Sequence, residues 1–310
     1  MTTFRFACPT CRTPLVQVGP AEQRCPSDGT VYGCHDGIWR FLTPEAQAYY
    51  CQFIREYQIV RQAEGRGSPE PAYYRALPFQ DLSGRFGDDW MIRARSFEAF
   101  SRQVCAPMER RLDRPLKVLD LGAGNGWLSH RLAQRGHHVA ALDLLTNPTD
   151  GLGAHIHYEV AFTPIQADFN HLPFTAAQVD MVIYNASLHY ATSYESTLSE
   201  ALRVLEPLGH IVVLDSPVYR AAGSGAQMVR EREGKFQHDF GFASNSVPSQ
   251  NYLTCQMLEG LGKALKIEWK LIPVHYGWRW ALRPWKARLL RRREPAQFVL
   301  ITGRRNLESW

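Results

Sequence analysis

The stretch VLDLGAGNG, Val118 to Gly126, constrains this chain more than any other. Four strand-forming residues run straight into glycines at 122, 124 and 126, separated by Ala123 and Asn125, and a helical pattern starts at Trp127. Without Cβ atoms the main chain can turn sharply and pass close to a ligand. The helix start that follows presents unpaired N–H groups to it. Downstream, HVAALDL (138–144), PIQAD (164–168), VDMVIYN (179–185) and HIVVLDS (210–216) are further short β-rich runs. Helical stretches at Gly126–Arg135 and Tyr194–Leu205 lie between some of them. The alternation predicts an α/β fold, a parallel sheet covered by helices on both faces.

The glycine spacing separates two kinds of ligand. A dinucleotide fingerprint, G-x-G-x-x-G, would need glycine at 127, where the chain has Trp127. G-x-G-x-G with Asp120 two residues ahead instead resembles motif I of class I S-adenosylmethionine (SAM) methyltransferases. The similarity runs clearly over 117–215, including ALRVLEPLGHIVVLD with Glu206-Pro207-Leu208-Gly209 at the family's helix–turn–strand block. It extends more loosely over 266–303, where KIEWKLIPV and AQFVLITGR fit a final antiparallel pair. The resemblance implies a Rossmann-like, seven-stranded, mostly parallel sheet. It also implies SAM as cofactor, with Asp120, Gly122, Ala123, Gly124, Asn125 and Gly126 around it. Asp143 and Leu144 would meet the ribose, Asp168 and Phe169 the adenine, and Asn185 the sulfonium.

Methyl transfer from a sulfonium asks the protein mainly to align an acceptor and exclude water. A hydroxyl or ring-nitrogen acceptor also needs a base. His189, four residues past Asn185, is the first candidate, against a capping or core-packed histidine; Tyr190 and Tyr219 come second. In MIRARSFEAF, Arg95 and Arg93 are candidates for the SAM carboxylate or an acidic substrate, with a solvated helix face the alternative, more so for Arg93. Asn185-Ala186-Ser187 is not the N-P-P-Y loop of adenine or glutamine methylation. No cysteine ends these strands, since Cys51, Cys105 and Cys255 lie elsewhere, which argues against covalent cytosine-C5 chemistry. The loop is closer to the small-molecule and quinone-type methyltransferases. The expectation is transfer to a small or lipid-like acceptor. An rRNA or tRNA base methyltransferase and a non-catalytic SAM-binding scaffold are the alternatives.

Three parts are expected: a zinc-ribbon-like module (1–43), a helical cap (44–112), and the methyltransferase domain (113–310) with a lid at about 216–251. The cap carries Tyr49, Tyr50, Phe53 and Tyr57 at helical spacing, a break at GRGSPEP (65–71), and a second helical stretch at about Asp89–Arg110. Cys8-Pro-Thr-Cys11 and Cys25-Pro-Ser-Asp28 sit where the two halves of a zinc ribbon belong. Cys8, Cys11 and Cys25 would ligate zinc with Cys34 as fourth donor; His35, Asp28 or a metal-free ribbon are the alternatives. A core this short needs a metal or docking to hold its shape. Ribbon plus class I domain resembles the large-subunit rRNA guanine-N1 methyltransferases, echoed in CPTC…CPSD and MIRARSF, with Asp28 a departure.

The 310 residues carry 45% apolar and 21% charged side chains, an ordinary globular balance. The net charge of +5 is unevenly placed: residues 279–305 hold nine basic groups and one acid, which leaves −3 for the rest. Within that segment Trp278, Leu282, Trp285 and Leu289 recur at i, i+4, i+7 and i+11. Three readings stay open: the stripe docks on its own domain, lies on an anionic membrane surface, or flanks a face that grips RNA phosphates. No apolar run reaches the roughly 18–20 residues of a membrane span. An odd set of seven cysteines, four of them within 8–34, and no signal-like start lead us to expect a reduced, cytoplasmic protein.

Overall fold

The computed structural model describes residues 4–306. Four short strands come first: β1 (Val16–Gly19), β2 (Glu22–Arg24), β3 (Val31–His35) and β4 (Ile38–Arg40), each antiparallel to the next. The runs seen in the sequence follow as β5 (Lys117–Leu121), β6 (His138–Asp143), β7 (Thr163–Gln166), β8 (Val179–Asn185) and β9 (Leu205–Leu214). β10 (Val218–Tyr219) and β11 (Leu253–Thr254) make a small parallel pair apart from the main sheet. β12 (Ile267–Pro273) and β13 (Val299–Arg305) complete the far edge. The strand order is β1-β2-β3-β4-β7-β6-β5-β8-β9-β13-β12. Pairing is parallel from β4 through β9 and antiparallel at β9–β13 and β13–β12.

Burial explains the order. β5 and β8 are covered at almost every residue and so belong in the middle, whereas β12 alternates toward solvent and lies at an edge. The helices are α1 (Pro44–Glu64), α2 (Pro71–Ala76), α3 (Gly87–Phe100), α4 (Ala106–Leu112), α5 (Trp127–Gln134), α6 (Tyr194–Val204), α7 (Ala222–Phe240), α8 (Cys255–Leu265), α9 (Trp278–Ala281) and α10 (Arg283–Leu289). One face of the sheet is packed by α2 to α5 through Tyr74, Phe100, Trp127 and Leu128. The other takes α6, α8 and the N-terminal strands. A π-helical turn, Ser101–Cys105, joins α3 to α4, so the expected second helix is continuous from 87 to 112.

The first forty residues are not a free-standing module. Trp39 and Arg40 pair in register with Ile165 and Gln166, and the Phe41 N–H donates to the Gln166 carbonyl at 2.9 Å. Phe6 packs within 5.0–5.9 Å of Trp39, Phe41 and Phe174. The reason is size. So small a unit gains too little by burying its own side chains, and it spends its aromatics against the larger sheet.

α1 leaves directly from this junction with well-defined ends. The Thr43 hydroxyl accepts from the Ala46 N–H at 3.2 Å, Pro44 starts the first turn, and Gly65 at φ +70 closes the last. The stretch expected to form a lid contains the 19-residue α7, whose Gly225 lets Tyr252 pack against the helix backbone; a Cβ there would lie 2.4 Å from its ring.

Candidate active site

The glycine turn lies at the C-terminal edge of the parallel strands, where ligands gather in open α/β sheets. Gly122, Gly124 and Gly126 all have positive φ, at +74, +55 and +80. A Cβ on Gly122 would sit 2.3 Å from that of Ser187, and one on Gly126 2.6 Å from the Phe162 ring. At Gly124 nothing comes nearer than the Asp150 carbonyl at 3.8 Å, so that stretch of backbone faces open space. The Asp143 carboxylate accepts from the Gly124 and Leu145 N–H groups at 2.7 and 2.8 Å. Burial raises its pKa to about 6.

A cleft of about 1080 Å³, measured to its open mouth, runs from this turn beneath α1. Gly122, Ala123, Gly124, Asn125, Asp143, Leu144, Asp168, Phe169, Asn185 and Tyr190, all candidates from the sequence, line it. Asp168 is held by the Asn170 N–H at 2.7 Å and by His171 Nδ1 at 2.8 Å, and Phe169 meets Tyr184 edge-on at 5.9 Å. Asn185 Oδ1 is buried and, among the described residues, has no hydrogen-bond partner, an acceptor left for a ligand donor. A carboxylate at the end of the second parallel strand, an acid–aromatic pair at the third and an orphaned amide at the fourth fit ribose, adenine and the methionine end of SAM.

Several expectations need correction. Asp120 does not reach the cleft: fully buried, with its pKa raised to about 7 by burial, it accepts from Ser129 Oγ at 2.8 Å and braces the turn against α5. Gly126 also lies behind the wall, as the first-turn hinge under Phe162. Arg95 points to solvent and pairs with Glu98 at 3.2 Å, while Arg93 faces the cleft. Tyr219 is buried, its hydroxyl accepting from Arg293 at 3.3 Å.

His189 is the largest correction. The 3₁₀ turn Leu188–Tyr190 sends neighbouring side chains to different sides, so Tyr190 lines the cleft and His189 packs beneath it. Its Nδ1 lies 3.3 Å from Ser216 Oγ, its carbonyl accepts from the Asn251 N–H at 3.0 Å, and burial depresses its pKa to about 3. A neutral imidazole joining two loops is a structural part. His189→Gln is expected to keep SAM affinity within about threefold and to lose roughly 1–3 kcal/mol of stability. Calorimetry and urea unfolding check both.

Sequence reasoning missed part of the wall. Tyr50, Phe53, Tyr57 and Arg61 form one stripe along α1, and Arg61 is fixed by Asp150, with Nη2 2.8 Å from Oδ1. Their spacing was readable in the sequence, but its phase relative to the sheet was not. Among the described wall residues there is no histidine, lysine, cysteine or glutamate.

Residues 119–213 match the family model described as a methyltransferase domain. That segment, 95 of the 310 residues, reads as a methyltransferase domain and holds the glycine turn and the strand ends that line the cleft. Curated relatives are similar over about a third of the chain. They include a malonyl-[acyl-carrier protein] O-methyltransferase of Hahella chejuensis, 33% identical over 119 residues, 38% of this chain and 39% of that one. A demethylmenaquinone methyltransferase of Clavibacter sepedonicus is 32% identical over 99 residues, 32% of this chain and 40% of that one. The chain thus spans about two fifths of the length of these relatives. Among solved structures, a Burkholderia thailandensis 1,6-didemethyltoxoflavin-N1-methyltransferase with S-adenosylhomocysteine bound aligns over 94% of this chain and 98% of its own. Its TM-score is 0.47 at 17% identity.

Beside the methyltransferase domain, the N-terminal strands hold a second cluster. Cys8, Cys11, Cys25 and Asp28 bring one ligand atom each within 4.8 Å of the others. The two turns that carry them are built alike. In the first, Arg12 N–H reaches the Cys8 carbonyl (2.8 Å) and Cys8 N–H the Thr13 carbonyl (2.9 Å). In the second, Gly29 N–H reaches Cys25 (2.9 Å) and Cys25 N–H reaches Thr30 (2.8 Å). Asp28 therefore stands where Cys11 stands in the first turn. Hydrogen bonds to Thr13 pull the Cys11 thiol down to about 7, while burial pushes Cys25 up to about 11. Three thiols and a carboxylate are a donor set for zinc. Cys34, expected as the fourth ligand, instead lies on β3 opposite Trp39, half-buried against the apolar core. His35, beside it on β3, is not in the cluster either.

Proposed function

We propose that this protein transfers the methyl group of SAM to a small or lipid-like organic acceptor that arrives already ionised. The observation that carries this reading is the make-up of the cleft. Its SAM end is polar and glycine-lined and its roof is the aromatic stripe of α1; of its ionisable side chains, Asp143 and Asp168 are engaged by hydrogen bonds at the SAM end and Arg61 and Asp150 by each other, which leaves the cation Arg93 and no histidine, lysine, cysteine or glutamate.

Arg93 stacks over the Trp90 ring at 4.7 Å, and among the described residues no carboxylate comes within ion-pairing distance of it. Burial depresses its pKa, and Asp215 is the acid that chiefly offsets this. Asp215 is itself pushed toward its neutral form by burial and is engaged by Ser96 Oγ. An incompletely neutralised guanidinium favours an anionic guest, and an oxyanion or enolate needs no further base. SAM when bound supplies the electrophile, a sulfonium methyl whose departure leaves neutral S-adenosylhomocysteine. The chain aligns the acceptor, shields it from water with α1, and holds its charge at Arg93.

Release of S-adenosylhomocysteine tests this, with malonyl-acyl-carrier protein and demethylmenaquinone as first probes because relatives are named for them. Arg93→Ala is expected to raise the acceptor KM about tenfold or more, the scale of one charge-assisted hydrogen bond. SAM affinity in that variant should stay within a few-fold, and Arg95→Ala should change neither. Turnover only with RNA, abolished by nuclease, would overturn the reading.

A further inference from the structure

The tail stripe is present and faces solvent. Trp278, Leu282, Trp285 and Leu289 are 67%, 51%, 73% and 84% exposed. Only Leu282 separates α9 from α10, and it keeps right-handed helical dihedrals. N–H bonds run across the junction, Leu282 to Trp278 at 3.1 Å and Lys286 to Leu282 at 3.0 Å. The spacing therefore keeps all four side chains on one side.

The opposite side fixes the orientation. Trp280 stacks on Phe298 at 5.5 Å and meets Tyr276 at a tilt at 5.2 Å, and the Arg283 guanidinium lies 3.8 Å over its ring. Arg293 ties the far end to α7 through Glu231 at 2.6 Å. With Trp280 turned inward and clamped, the other two tryptophans are held outward. Docking of the stripe on its own domain is therefore not what the fold does.

Arg279, Lys286, Arg288, Arg291 and Arg292 are exposed around the stripe, and among the described residues none pairs with an acid. At helical spacing Arg279 and Lys286 fall along one edge and Arg288 along the other. We propose that this face is a docking surface for an anionic phospholipid bilayer. Tryptophan and leucine enter the headgroup–acyl boundary while arginine and lysine meet lipid phosphates, an arrangement characteristic of helices lying in the interface. RNA would use the cations but would leave exposed leucines with nothing to cover them. No helix among the described residues is long and apolar enough to cross a membrane, so attachment is to one surface.

Co-sedimentation of the full chain with vesicles tests this, using phosphatidylcholine alone or mixed equally with phosphatidylglycerol. Tryptophan emission is followed in parallel. Binding and a blue shift are expected with the mixed vesicles only, weakening as salt rises. Trp278→Ser combined with Trp285→Ser should lower partitioning about tenfold or more, as should Arg288→Glu combined with Arg291→Glu. Both pairs lie at the surface, and unchanged SAM binding by calorimetry would confirm the fold. The proposal is overturned if the mixed vesicles fail to bind, if the tryptophan pair binds as the parent does, or if only tRNA or a second copy of the chain occupies the face.

Discussion

Asp143→Ala is expected to weaken SAM binding about a hundredfold. The Asp143 carboxylate already takes the N–H groups of Gly124 and Leu145, and its remaining lone pairs face the cleft. A ribose there would lose two charge-assisted hydrogen bonds, each worth at least about 1.5 kcal/mol, and 1.4 kcal/mol is a factor of ten. The effect also carries a pH signature. Burial puts the Asp143 pKa near 6, and only the ionised form accepts from both hydroxyls. Affinity should therefore hold above that value and fall toward tenfold per unit below it, as the ligand has to expel a proton. Asp143→Asn, which cannot titrate, should bind weakly with that dependence gone. Calorimetry between pH 5 and 8 reads all of this. A parent protein whose affinity is flat across the range would remove Asp143 from the ribose site.

The second large effect concerns the cysteine cluster. Protein purified without added metal is expected to carry one zinc per chain, measured by elemental analysis, and Cys25→Ser to carry almost none. Zinc contributes about 10–16 kcal/mol to folding small modules of this sort. Chelation should accordingly unfold the β1–β3 region while β5 to β9 stay folded, which amide hydrogen exchange resolves strand by strand. Cys34→Ser should leave the zinc content untouched, and Asp28→Cys should preserve it, because position 28 matches position 11 in its turn. Metal-free protein with fully protected β1–β3 amides would refute the zinc reading. Because only three residues separate β4 from α1, chelation should also cost SAM affinity.

Some features were legible from residue pattern because their physics is local. Strands buried on both faces read as unbroken apolar runs, and the glycine turn reveals itself because its left-handed backbone favours glycine and, at Gly122, a Cβ would collide with Ser187. What stayed hidden depends on phase. Arg93 and Arg95 are two positions apart on a helix, hence on nearly opposite sides, so only one could face the cleft. Trp90 and Phe97, both buried, sit three before and four after Arg93 and mark its side as the inner one. That signal was in the sequence. His189 and Tyr190 had no such guide, since one tight turn decides which of two neighbours reaches the cleft. The attachment of β4 to β7 was invisible for another reason: the pairing spans some 125 residues and involves backbone groups that no side-chain pattern encodes.

That attachment bears on how the protein can be handled. Composition suggests 43/44 as a place to cut. A chain beginning at residue 44 would leave β7 as a bare edge of four residues, its outward N–H and carbonyl groups unpaired and Phe174 stripped of Phe4 and Phe6. An uncovered parallel edge beside exposed aromatics is a template for intermolecular β-pairing. The shortened chain would be expected to aggregate even with every cleft-lining residue intact, so the first forty residues serve the parallel sheet as its edge protection.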